Sequence, residues 1–501
     1  MRGIPLSLYD PLTSSGGGQQ PGSLEMSGLA NLGLTVEDSA GQQRPMLAEE
    51  TPTIDNGLWR VFPDGRMETT WRIRENVRWH DGTPATAGDV EFTARLEQDT
   101  EMPWRIDAAY RFVESVRATD ARTVTVTWKE PYIRADMILP AVLPRHLLES
   151  TYEQDKGAFL QLRYWNTEFV GTGAFKLKQW EHDVRAVLVA NEQFVFGRPK
   201  IDEIEVRFLP EVQAMIANLL SGTVELTLGN NASLEQALQV KDQWEQQGRL
   251  IPGSSGWQNL NPQFLNPNPP ILLDVQFRRA LYHSIDRKTI AEQLAYGYSD
   301  QADSNIHPSF AEYRYIEPQI VRYAYDPRRA TQMIEELGYR KGSDGMFRDG
   351  AGQLLSIQIM ATGDDTNSKP TFAVLEYFRA IGVTPDPEIV PNQRARDLEY
   401  RANFRSFALQ GGQGYGPDGV RALLSTDART AERNYVGGNY VRYMNPQVDA
   451  LIGRYFTTIP FNERMGVLGQ LVRHTTENLI WMPLFWRVVP TFMHNRLREV
   501  P

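Results

Sequence analysis

The chain has 501 residues, a formal net charge of −10 at pH 7 and 41% hydrophobic residues. That length exceeds what one hydrophobic core normally supports, so we expect two or three domains. The acidic balance argues against a nucleic-acid partner, because phosphate binding needs a basic surface. No apolar run approaches the roughly 18 residues of a membrane-spanning helix. The sequence also lacks cysteine, which excludes disulfides, thiolate metal sites and cysteine nucleophiles.

The most informative stretch is residues 71–92, WRIRENVRWHDGTPATAGDVEF. Its first half alternates apolar and polar residues, as in a half-buried strand. Asp81-Gly82 then predicts a turn. Thr86 and Asp89 have the spacing of a capping box, which predicts that a helix begins there. Nothing in the stretch has the character of a nucleophile or a metal cage.

This stretch closely resembles the signature of the extracytoplasmic solute-binding proteins of peptide, nickel and oligosaccharide ABC importers, solute-binding family 5. Further blocks that resemble the family follow in the family's order: residues 171–175 (GTGAF), 278–287 (RRALYHSIDR) and 325–338 (YDPRRATQMIEELG). The resemblance therefore covers essentially the whole chain.

The resemblance implies an α/β fold of the periplasmic-binding-protein type II-like (Venus flytrap) kind, with two lobes plus an extra domain. Mapped onto this sequence, domain I comprises residues 1–36, 165–258 and 478–501. Domain II comprises residues 37–164, and domain III comprises residues 259–477. The chain would then cross between lobes near Trp257–Pro262 and again near Glu477–Ile480, forming a hinge.

Local patterns predict several elements inside these domains. The residues Asp274, Asp286 and Asp326 are predicted helix N-caps, the last with proline at the first helical position. Pro210 is expected to open another helix, and residues 451–456 and 465–477 are expected to be helical. Predicted strands cover residues 123–128, 224–226 and 479–485. Residues 1–30, which include a Gly16–Gly18 run, fit either a linker or a loop at the mouth of the ligand cleft.

The sequence predicts no metal site, no cofactor and no catalytic residue. His80 and His146 are interpreted as packed or capping histidines, since neither has a second histidine or a carboxylate at metal-binding spacing. The glycines at 171 and 173 lack the G-K-[ST] of a phosphate loop. There is no G-x-S-x-G either, so a hydrolase is the weaker alternative. A cytoplasmic ligand sensor on the same fold is the other.

The resemblance implies a binding protein that captures a solute between its lobes and delivers it to an ABC permease in the membrane. Such a protein is expected to be a monomer at the periplasmic or extracellular face of the cytoplasmic membrane. Residues 1–5 do not resemble a signal peptide, and we expect that an export signal has been removed.

The candidate ligand contacts are aromatic and polar residues near the predicted crossing and in the glycine-rich loop at residues 410–417 (QGGQGYGP). Binding clefts combine apolar surface with a few orienting polar groups. Core packing of the tryptophan and turn contacts of the asparagines are the structural alternatives. The predicted ligand-binding residues are Trp257, Asn259, Asn261, Gln410, Gln413, Tyr415 and Asp418.

The glycine-rich loop also departs from the family. Peptide-binding relatives have a loop resembling W-x-x-D-x-x-D/E-P, whose first aspartate pairs with the α-ammonium of the ligand. Aligned on Pro417, this chain has Gln410, Gln413 and Gly416 at the three characteristic positions. A neutral glutamine forfeits the charge-assisted bond but can both donate and accept. We therefore expect an oligosaccharide, glycoconjugate or blocked peptide in place of an ordinary free-amine peptide, unless Asp418 rescues ammonium binding.

Overall fold

The computed structural model describes residues 1–5, 7–9, 21–38, 41–102, 108–229, 232–412 and 414–498. The Gly16–Gly18 run and Gln413 lie outside these described residues. The strands are β1 Thr35–Glu37, β2 Gln43–Pro45, β3 Trp59–Val61, β4 Met67–Arg72, β5 Val113–Ala118, β6 Thr123–Trp128, β7 Phe175–Glu181, β8 Arg185–Ala190, β9 Glu203–Arg207, β10 Gly248–Pro262, β11 Arg340–Lys341, β12 Phe347–Arg348, β13 Ser356–Thr362, β14 Thr384–Val390, β15 Phe407–Gly411 and β16 Met482–His494.

The α-helices alternate with these strands and pack on their faces. They are α1 Ser23–Ala30, α2 Ala87–Glu97, α3 Arg145–Gln154, α4 Lys156–Leu160, α5 Val212–Leu220, α6 Leu234–Trp244, α7 Val275–His283, α8 Arg287–Leu294, α9 Tyr313–Ile316, α10 Pro327–Glu336, α11 Asp365–Ile381, α12 Leu398–Ala402, α13 Pro446–Thr457 and α14 Phe461–Glu477. Among the described residues, no helix is both long and apolar enough to cross a membrane.

The largest sheet is built around two long antiparallel strands. Its order is β14-β13-β15-β10-β16, with β13 parallel to both β14 and β15. The first part of β10 pairs with β16 alone, Gln258–Leu260 pair with both β16 and β15, and Asn261 and Pro262 pair with β15. The register of β10 against β16 shifts between Ser254 and Trp257 and again after Gln258. The irregular pairing therefore falls at the predicted crossing near Trp257–Pro262, where bulges bend a strand locally.

The signature stretch lies beside a second, antiparallel sheet of order β3-β4-β6-β5. The capping box is confirmed: Asp89 accepts from the Thr86 backbone N–H at 2.7 Å, and α2 begins at Ala87. The predicted strand is only partly present, because β4 ends at Arg72. The alternation continues as buried Ile73 and Val77, but this segment forms only isolated bridges, at Ile73 and Arg78, among the described residues.

Predicted helix caps in the second half of the chain are also confirmed. Asp274, Asp286 and Asp326 accept backbone N–H bonds at 2.7, 3.0 and 2.9 Å respectively. The helix expected at Pro210 begins two residues later, with Glu211 at the N-cap. The predicted strand at 479–485 is displaced, since β16 begins only at Met482 and continues to His494.

The first residues and the last strand both contact the part of the chain between residues 207 and 227. The Met1 ammonium donates to the Arg207 carbonyl at 2.8 Å, at the end of the β7-β8-β9 sheet. Thr227 exchanges hydrogen bonds with Phe492 of β16. The strand predicted at 224–226 is wrong as a strand, because only Leu226 forms an isolated bridge, to Met493. These contacts bring together segments from three distant parts of the chain.

Candidate ligand-binding site

Trp257 lies inside the core, beside the irregular pairing of β10. Its side chain is fully buried, and its ring packs edge-on against Trp481 with 5.4 Å between ring centroids and an interplanar angle of 85°. The cross-strand partner of Trp257 is Trp486, which is also buried. This geometry favours the core-packing alternative for Trp257 over direct ligand contact.

Asn259 and Asn261 are buried on the same strand and bond to each other. Asn259 donates through Nδ2 to Oδ1 of Asn261 at 2.8 Å, and Asn261 donates to the Ala408 carbonyl at 3.1 Å. Oδ1 of Asn259 is buried and has no hydrogen-bond partner among the described residues. The pair thus stabilises the pairing of β10 with β15, and Oδ1 of Asn259 remains an unsatisfied acceptor.

The glycine-rich loop is held by a residue that the sequence analysis did not single out. Asn305 donates through Nδ2 to the carbonyls of both Gly414 and Gly416, each at 2.9 Å. Both glycines have positive φ, +76° and +83°, which side chains other than glycine rarely adopt. A Cβ on Gly419 would lie 2.0 Å from the Gly414 carbonyl oxygen. The backbone of residues 414–419 is therefore held in place, as a preorganised binding loop requires.

Two of the predicted loop residues, Gln410 and Tyr415, lie beside polar partners near the end of β15. Gln410 accepts a hydrogen bond from Arg401 at 3.2 Å. The Tyr415 hydroxyl lies 3.3 Å from Oγ of Ser254 on β10, and its ring packs against Phe310 at 5.5 Å between centroids. The structure therefore brings Tyr415 next to β10 but turns Gln410 toward an arginine.

Asp418 is engaged by the segment predicted to be domain II. Arg134 places Nε 2.9 Å from Oδ2 of Asp418 as an ion pair, although this N–H makes no aligned hydrogen bond. Arg134 also bonds Glu37 at 2.8 Å, and Tyr455 donates to Asp418 at 3.1 Å. Burial alone would lower the pKa of Arg134, but the neighbouring carboxylates raise it above its ordinary value. Arg134 therefore joins residues of the predicted domains II and III.

A double-mutant cycle measures this contact. Arg134→Met, Asp418→Asn and their combination are expected to give a coupling free energy of about 0.2–1 kcal/mol, because partly exposed ion pairs contribute little. The check is the free energy of unfolding in denaturant at low salt. Arg198 and Asp202, a more exposed pair at 2.5 Å, serve as the control and should couple less. Additive effects of Arg134 and Asp418 would contradict the contact.

The two singled-out histidines both contact other residues of the chain. His80 accepts from the Gly171 N–H at 3.2 Å through Nδ1 and donates to the Gly173 carbonyl at 3.1 Å through Nε2. Burial lowers the pKa of His80 to about 4. His146 lies 2.7 Å from a carboxylate oxygen of Asp81. Within the described residues, no group of three or more His, Asp or Glu side chains could hold a metal ion.

Two surface cavities lie away from the predicted residues. One, of about 510 Å³, is bordered by residues of α2 and β5 such as Phe92 and Val116. The other, of about 640 Å³, is bordered by residues such as Leu265, Thr430 and Arg442. Neither cavity is lined by a predicted ligand-binding residue. The ligand-binding role of those residues therefore stays a prediction.

The family model for bacterial extracellular solute-binding proteins, family 5, matches residues 43–430. This chain belongs to that family. The oligopeptide-binding protein AppA of Bacillus subtilis is 24% identical over 432 residues, covering 84% of this chain and 74% of AppA. A Brucella ovis relative is 29% identical over 287 residues, and the aligned part spans only 51% of that relative's length.

Solved structures of family members have the same fold. NikZ of Campylobacter jejuni, in complex with Ni(L-His), superposes with a TM-score of 0.78 at 21% identity, covering 99% of this chain and 93% of NikZ. A mannohexaose-bound oligopeptide-binding protein of Thermotoga maritima gives 0.74 at 19% identity, covering 99% and 90%. The predicted two-lobe, mixed α/β periplasmic-binding fold is thereby confirmed.

Proposed function

We propose that this family 5 protein is the substrate-binding component of an ABC importer. It captures a solute between its lobes outside the cytoplasm and delivers it to a membrane permease. The observation that carries the proposal is the pairing of β10 with β16, whose irregular register lies beside a fixed glycine-rich loop. Lobes joined by a few bending residues can close on a ligand, and ligand contacts from both lobes favour the closed form.

The proposed domain division remains the one mapped from the sequence. Domain I joins residues 1–36, 165–258 and 478–501, domain II is 37–164, and domain III is 259–477. The bonds of Met1 to Arg207 and of Thr227 to Phe492 support a domain assembled from separated segments. In this division the hinge lies where β10 changes register and where the chain enters β16.

The proposed ligand is a peptide-like or oligosaccharide-containing solute other than an ordinary free-amine peptide. Relatives with this fold include proteins solved with a pentapeptide and with mannohexaose. Support comes from the loop, where Gln410 replaces the tryptophan of peptide-binding relatives and Gly416 replaces an acid. Asp418, the residue that could still pair with an ammonium, already contacts Arg134 and Tyr455.

A solute screen tests this function. A bound solute at a hundredfold excess over its Kd should stabilise the protein by about 3 kcal/mol, because it binds only the folded form. The measurement is the melting temperature by scanning fluorimetry, with free-amine peptides, N-acetylated peptides and oligosaccharides as separate panels. Calorimetry then verifies each hit, and small-angle scattering should show a more compact molecule.

The panels also separate the ligand classes. Stabilisation by free-amine peptides alone would contradict the proposed ligand class while leaving the binding function intact. Turnover of any panel member would contradict a purely binding role. Permease and ATPase genes beside the gene, together with an export signal in its full coding sequence, would support the transport assignment.

A further inference from the structure

Arg487 lies on β16, next to Trp486 and across from the start of the glycine-rich loop. A Cβ added to Gly411 would lie 2.6 Å from Cδ and 2.7 Å from Nη1 of Arg487. The arginine side chain therefore occupies the space that a larger residue at position 411 would fill. Gly411 is itself paired with Gln258 on β10, so Arg487 lies over the strands that join the lobes.

The guanidinium of Arg487 has no hydrogen bond or ion pair with any residue in the described parts of the chain. Two more deeply buried arginines of this half of the molecule have partners. Arg287 pairs with Asp303 at 2.8 Å, and Arg278 donates to the carbonyls of Leu272 and Asn478. Arg487 is half-buried, and a cation that is partly withdrawn from water without a partner carries a desolvation cost.

The surroundings of Arg487 are consistent with that cost. Burial lowers the pKa of Arg487, and the carboxylate of Asp364 acts in the opposite direction from beyond ion-pair distance. Asp364 is occupied locally, since it accepts from the backbone and the side chain of Asn367 at the start of α11. The neighbouring Gln258 is fully buried and donates to Asn367 at 2.8 Å, while its own Oε1 has no partner.

We infer that Arg487 binds a carboxylate of the transported solute. The inference rests on the proposed binding function and narrows the proposed ligand class to solutes that carry a carboxylate. A guanidinium presents a planar fork of donors that matches a carboxylate in a bidentate arrangement. Gly411 leaves the room for that fork beside the loop. The free carboxylate of an N-blocked peptide and the uronate of an acidic oligosaccharide share this chemistry.

The first test needs no ligand. Arg487→Gln removes the unpartnered charge, so the ligand-free variant is expected to melt at the same temperature as the wild type or higher. Arg429 is the matched control, because it is also half-buried but donates to the Gly437 carbonyl at 2.8 Å and stacks on Tyr440. Arg429→Gln should lower the melting temperature. A comparable loss in Arg487→Gln would assign Arg487 a structural role and overturn the inference.

The second test is calorimetry with matched probes. One pair is an N-acetylated tri- to pentapeptide library with free carboxylates and the same library as C-terminal amides. The other pair is a mixture of oligogalacturonates and the corresponding neutral galacto-oligosaccharides. The wild type should prefer one carboxylate probe over its neutral counterpart. Arg487→Gln should lose about 10- to 100-fold in affinity for that probe, and Arg487→Lys should lose less.

The outcomes distinguish the two proposals. Binding of an amidated or neutral probe as tightly as the acid, unchanged in Arg487→Gln, would overturn the role of Arg487 and leave the binding function standing. Binding of no probe, and of none of the free-amine peptides, would overturn both. Whether the acetylated peptides or the oligogalacturonates bind identifies the source of the carboxylate.

Discussion

Replacing Trp257 with alanine is expected to lower the free energy of unfolding by about 3–5 kcal/mol, the range for removing a large aromatic side chain from a core. Trp257 is fully buried and packs edge-on against Trp481 beneath the glycine-rich loop. Trp481 in turn lies against the loop, since a Cβ added to Gly414 would lie 2.6 Å from the Trp481 ring. Chemical denaturation at pH 7 measures the loss.

Two variants show whether this loss reflects packing. Trp257→Phe keeps an aromatic ring and should lose clearly less than the alanine variant. Phe372→Ala, at a side chain that is 49% exposed, should change the free energy of unfolding by less than about 1 kcal/mol. A loss below about 1 kcal/mol for Trp257→Ala would contradict the core role and return Trp257 to the ligand contacts predicted from the sequence.

Acidification is expected to remove on the order of 3 kcal/mol of stability through His80 alone. The pKa of His80 is about 4 in the folded protein because of burial, against an ordinary 6.5. The folded form therefore resists the proton that the unfolded chain accepts. The contribution of His80 is complete above pH 6.5, falls as the pH drops toward 4, and is constant below that.

The check is the difference in free energy of unfolding between wild type and His80→Gln across this pH range. Glutamine keeps a donor and an acceptor for Gly171 and Gly173 but does not titrate. The advantage of the wild type over the variant should shrink by on the order of 3 kcal/mol from pH 7 to pH 4. If the difference between wild type and His80→Gln did not change with pH, folding would not lower the pKa of His80.

The sequence predicted those parts of the fold that depend on residues close together in the chain. The Thr86–Asp89 capping box and the caps at Asp274 and Asp286 need only partners two or three residues away, so their signals are complete locally. The alternation after Arg72 predicted burial correctly but pairing incorrectly. Whether an extended segment joins a sheet depends on a partner strand that local sequence does not reveal.

The candidate site was less predictable for the same reason. Nothing near Asp418 in the sequence indicates Arg134, and nothing near Gly414 indicates Asn305. The importance of Arg487 depends on the lack of a partner among the described residues, which only three-dimensional placement can reveal. The family pattern directed attention to the glycine-rich loop, but the roles of Gln410, Tyr415 and Asp418 depend on contacts between distant segments.

The pairing of β10 with β16 has a consequence for how the protein is made. Phe492 bonds Thr227 across 265 residues of sequence, and β16 pairs along most of the length of β10. Closing so large a loop is slow, and contacts of this separation delay folding. During synthesis, one edge of β10 therefore stays unpaired until β16 has emerged from the ribosome. We expect a nascent chain without residues 482–494 to remain protease-sensitive and bound to chaperones.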